Sequence, residues 1–153
     1  MRKTKNVVIP PDATGTPDDQ KNRDAGKVYI ITEMPASQAE RWAFRAFQAL
    51  ARSGVDLPEN TSGAGMAGLA HIGLQALSTI PYNEANDLMD EMFSCVKIMR
   101  NKETPLIGYD LMEEDVEEVR TRVILRTEVF ELHTGFSMAG VRQSLTTSTP
   151  ATP

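Results

Sequence analysis

The chain is poor in the residues on which covalent staples and side-chain chemistry are built. A single cysteine, Cys95, among 153 residues excludes an internal disulfide and fits a reducing compartment. The two histidines, His71 and His133, fall on separate predicted helices with no ligand partner one turn away, so a zinc site or a histidine base is not expected. No apolar run approaches the ~20 residues of a membrane span, and the apolar stretch in MRKTKNVVIPP is too short for a secretory signal. Basic residues are not in excess: 16 Lys and Arg stand against 21 Asp and Glu, a net charge of −5 that argues against bulk affinity for nucleic acid. What is present, 41% hydrophobic residues in a chain of domain size, suffices for one core without disulfide or structural metal. The expectation is a single cytoplasmic domain with no membrane and no nucleic-acid partner.

Composition divides the chain into a body and two tails. Residues 10–26 (PPDATGTPDDQKNRDAG) are almost wholly polar with three prolines, and SLTTSTPATP at the other end repeats the pattern. Such segments lack the apolar area that offsets the entropy of ordering, so 1–26 and 139–153 are predicted to be flexible around a folded 27–138. The body opens with KVYIITE, whose β-branched and aromatic residues predict one short strand. Over 36–53 the polar residues Arg41, Arg45, Gln48 and Arg52 recur at helical steps between apolar ones, which predicts a helix with one wet stripe ended at Gly54. A second, apolar helix is predicted over 64–78. A third, capped by Asn83, is predicted to reach Arg100 with Leu88, Met89, Met92, Phe93, Val96 and Met99 on its buried side. Residues 106–109 suit a second short strand paired to the first. A fourth helix is predicted from the capping-box-like Asp110 and Glu113 to Thr134, with Gly135 ending it. The expected fold class is therefore mainly α, about four helices in a compact bundle with one short N-terminal strand or two-stranded hairpin.

Several local patterns touch on chemistry, and in each the context favours a structural role. GAGMAG at Gly63–Gly68 matches G-x-G-x-x-G, but VDLPENTS precedes it where a dinucleotide fold needs a buried strand. Gly135, Ser137 and Ala139 approach a nucleophile elbow, yet a helix comes before them and a polar tail after. The acidic run Asp110 to Glu118 has no glycine for a calcium loop and no Glu-x-x-His pair for a di-iron site, so it is expected as a solvated helical face. Cys95 is expected as a small core residue. No catalytic residue, cofactor or metal is expected. Met89, Met92, Phe93 and Met99 are the candidate partner-binding residues, because flexible thioethers suit a surface that accepts several shapes, and the Arg41, Arg45, Arg52 stripe is a candidate for an acidic partner.

The body also resembles a known family. KVYIITEMPASQAERWAFRAFQALARSGVDLP runs from the strand through a T-E-M-P-A turn into an A-x-x-W-A-x-R-A helix; GMAGLAHIGLQAL follows, and RVILRTEVFELHTGFSMA closes with L-H-x-G-F. In these stretches the chain is similar to the tail assembly chaperones of long-tailed bacteriophages. The resemblance implies a small, largely helical, non-enzymatic protein of the host bacterial cytoplasm that leaves before the virion is finished. Its partners would be the tape measure protein, which it keeps soluble, and tail tube subunits, which it helps recruit; self-association is common in the family. The rival from another class is a small phage-encoded inhibitor that binds a host enzyme or defence protein.

Overall fold

The computed structural model describes residues 1–54 and 78–134. Among them lie four strands and three α-helices: β1 (Thr4–Val8), β2 (Val28–Thr32), α1 (Ala36–Arg52), α2 (Tyr82–Phe93), β3 (Val96–Met99), β4 (Tyr109–Asp110) and α3 (Val119–Thr134). The strands form one antiparallel sheet in the order β1-β2-β3-β4. The fold is thus α+β, which corrects the mainly α four-helix expectation; the predicted 64–78 helix up to residue 77 and the 139–153 tail lie outside the described residues.

Three segments account for the difference. Residues 1–26, expected as a tail, carry strand β1. TKNVV pairs along its whole length with β2, from Thr4 opposite Thr32 to Val8 opposite Val28, and the ladder continues through Ile9 N–H to Lys27 C=O at 3.0 Å and Gly26 N–H to Ile9 C=O at 2.9 Å. The polar stretch behind it is ordered by hydrogen bonds rather than by apolar burial: the Asp12 carboxylate accepts from Asn22 N–H, and Asn22 Oδ1 accepts from Asp24 N–H. The third predicted helix stops at Phe93. Beyond it Val96 and Ile98 are buried while Lys97 is exposed, a period of two that belongs to a strand, and β3 pairs with β2. The second predicted strand is shifted to Tyr109–Asp110 and pairs with β3, not with β2. The fourth helix starts nine residues later than Asp110, because Asp115 closes a short 3-10 turn and Val116 is extended (φ −128°, ψ 102°).

The core lies between one sheet face and the helices. Val7, Tyr29 and Ile98 stand in one row across the sheet, with Ile31 beside Val96 in the next, and all are buried with Trp42, Phe47, Leu50, Met92, Leu125 and Val129. α3 packs on β1, β2 and α2, and α1 packs on α2, where the Trp42 indole N–H donates to Leu88 C=O at 2.9 Å. α1 follows its predicted pattern: Arg41, Arg45, Gln48 and Arg52 are exposed, Trp42, Ala43, Ala46, Phe47, Ala49 and Leu50 are buried, and Gly54 takes the left-handed conformation (φ +81°).

Candidate functional site

An open groove of about 520 Å³ lies where the end of α2 meets the chain leaving β4. The helix ends there because the sheet must begin: Ser94 closes its last turn and Val96 starts β3. The floor and walls are Phe93, Val96, Leu111, Met112 and Val116, and the rim carries Asp90, Asp110, Glu113 and Arg122. Arg122 reaches over from α3, its guanidinium carbon 4.1 Å from the centre of the Phe93 ring, a cation–π contact that fixes the ring at the groove mouth. Met112 is 56% exposed, an apolar side chain free to repack.

The predicted partner-binding residues are divided among different places. Phe93 is half-buried in the groove; Met89 on the same helix is half-buried against the core, and Met92 is wholly inside it. Met99 lies on β3 on the sheet face turned away from the core, because the strand reverses the side on which a helix would have put it. The arginine stripe is largely spent within the molecule. Arg45 pairs with Glu91, which also accepts from Gln38 Nε2 at 3.1 Å, and Arg52 meets Glu84 at 2.6 Å, so two of the three arginines clasp α1 to α2. Arg41 is exposed on the same helix. Leu111, Met112 and Val116 carry no contact signal in the sequence, because the acidic stretch around them satisfies the rules for a helix start although α3 begins only at Val119.

A second polar assembly is structural. Asp24, fully buried, accepts Glu117 N–H at 3.0 and 3.1 Å and Glu118 N–H at 2.9 Å, and takes the Lys27 ammonium at 2.8 Å. Burial pushes its carboxyl pKa up, but Lys27 and these N–H donors outweigh it and hold the group down at about 2. The buried Thr121 hydroxyl stands outside hydrogen-bond geometry among the described residues. Asp115, also buried, is gripped by both Arg100 guanidinium nitrogens at 3.0 and 2.7 Å and accepts Met112 N–H at 2.7 Å. The Tyr29 hydroxyl donates to Asp115 C=O at 2.6 Å, and burial, with the charges of Asp24 and Asp115, raises its pKa. The acidic run is thus no uniform solvated face.

His133 sits in the last turn of α3, where its Nδ1 meets Val129 C=O at 2.7 Å and its Nε2 accepts Met34 N–H at 2.7 Å. Both nitrogens are engaged in backbone contacts, a positioning role. Cys95 is buried, and burial pushes its thiol up to about 11. Among the described residues no three His, Cys, Asp or Glu side chains are grouped to hold a metal ion, and no helix is long and apolar enough to cross a membrane. His71, the GAGMAG run and the Gly135–Ser137 pattern lie outside the described residues.

Compared with known proteins, the chain matches no family model, no curated protein and no solved structure.

Proposed function

We propose that this protein is a phage tail assembly chaperone that binds the tape measure protein, keeps it soluble and helps recruit tail tube subunits in the host cytoplasm. The observation that carries this reading is the groove with half-buried Phe93 and exposed Met112 on its surface. An unassembled tape measure presents apolar helical stripes that aggregate, and a shallow site lined by deformable side chains covers such stripes reversibly. The sequence likeness in the strand, the T-E-M-P-A turn, α1 and the L-H-x-G-F ending supports the same reading.

The test is co-expression with a phage tape measure protein from the same genome. A soluble complex containing both is expected, together with a rise in the soluble fraction of the tape measure. Equal tape-measure solubility with and without this chain, and no recoverable complex, would overturn it.

A further inference from the structure

The groove has an apolar floor and a rim of one dominant sign, and together these select an occupant; the inference rests on the partner-binding role proposed above. Three carboxylates, Asp90, Asp110 and Glu113, face a single guanidinium, Arg122, and that one is already stacked on Phe93. The carboxylates are weakly engaged. Among the described residues the Asp90 carboxylate accepts from the neutral Asn86 amide alone, at 3.2 Å; Asp110 meets Lys97 at 3.5 Å with its own side chain 93% exposed; Glu113 is exposed, and among the described residues neither it nor Asp90 has an ion-pair partner. The field of the whole molecule, at −5, has the same sign.

The geometry points to a polypeptide segment in which a bulky apolar side chain is flanked by lysine or arginine. The apolar side chain displaces water from Phe93 and Met112, while the flanking cations reach the carboxylates on the rim. An acidic segment with the same apolar residues meets repulsion on three sides, so the site discriminates by sign as well as by shape. A second copy of this chain, carrying the same negative charge, is disfavoured on the same ground.

Fluorescence anisotropy of the full-length protein tests this with a labelled synthetic peptide of about 15 residues, Leu, Ala and Lys at amphipathic helical spacing. Its controls are a twin with Glu in place of Lys and another with Ser in place of Leu. The Lys–Leu peptide is expected to bind, and both twins to bind on the order of tenfold more weakly or less. Raising the salt from about 0.05 to about 0.5 M weakens the complex. The exposed pair of changes Asp90→Lys with Glu113→Lys, and separately Met112→Lys, are each expected to weaken the Lys–Leu peptide on the order of tenfold, with circular dichroism and the thermal midpoint verifying that the fold is kept. Equal binding of the Lys–Leu and Glu–Leu peptides, or undiminished binding by folded variants, overturns the assignment. Co-expression separates the two levels. If the double variant solubilises the tape measure as well as wild type, the groove is not the site while the chaperone reading stands. If wild type selects the Lys–Leu peptide yet leaves the tape measure insoluble, the groove preference stands and the chaperone reading falls.

Discussion

Asp24 anchors the entry to α3 from 93 residues away: its buried carboxylate receives the backbone N–H groups of Glu117 and Glu118, just before the helix begins at Val119. The connection between β1 and β2 thereby holds the two residues that lead into α3.

Its pH dependence follows from the depressed pKa of about 2 against an ordinary 3.8. A carboxylate lowered in the folded state contributes stability that is complete above its unfolded value and is lost as pH falls through the folded one. The contribution is about 2 kcal/mol and fades between about pH 5 and pH 2. Asp24→Asn is expected to cost about 2–3 kcal/mol at neutral pH and to flatten this part of the acid-unfolding profile. Urea titrations at stepped pH measure both, and identical pH slopes for wild type and variant would refute the anchoring role.

Arg100 and Asp115 form a bidentate pair whose carboxylate is buried. Removing only the cation leaves that charge without its main partner, so Arg100→Ala is expected to destabilise by about 3 kcal/mol. The double change Arg100→Met with Asp115→Asn should cost less than the sum of the two single changes. Additive effects in the four-way cycle would contradict the coupling.

Gly108 offers a steric test of the β3–β4 approach. A methyl group there would lie 2.9 Å from Lys97 Cβ and 3.2 Å from its Cδ, and the Cβ belongs to a strand that cannot easily shift. Gly108→Ala is therefore expected to lower stability by about 1–2 kcal/mol. A urea midpoint equal to that of wild type would show that the edge strand yields freely.

Cys95 is predicted to be a slow thiol. It is buried, and its pKa of about 11 leaves little thiolate at neutral pH. Modification by a chromogenic disulfide reagent at pH 7.5 should be slow in the native protein and fast in denaturant. Native labelling at the rate of a free exposed cysteine would show that this end of the core opens readily.

The parts of the fold legible in the sequence are those whose signal is local. The 17 residues of α1 carry their amphipathic pattern in full, and VYIIT is strand-like on composition alone. The end of α2 was hidden because Met92, Val96 and Met99 fit helical steps of four and three as well as Val96 and Ile98 fit a strand, and a run this short does not decide between the periods. β1 was hidden because only Val7 of its five residues is buried; its place depends on pairing with β2, which composition does not carry. Phe93 could be named as a contact residue, but its companion Met112 comes from an acidic stretch that also satisfies the rules for a helix start. The Asp24 contacts with Glu117 and Glu118 join residues too far apart for any spacing rule to find.

That long reach shapes how the protein is made. While a ribosome is still translating α2, the β1–β2 ribbon has no helix α3 to cover its greasy side, and the Asp24 carboxylate has no Glu117 or Glu118 amide to receive. Native closure must await the synthesis of α3, so each nascent molecule passes through a sticky interval, and slower synthesis at reduced temperature is expected to improve recovery from a bacterial host.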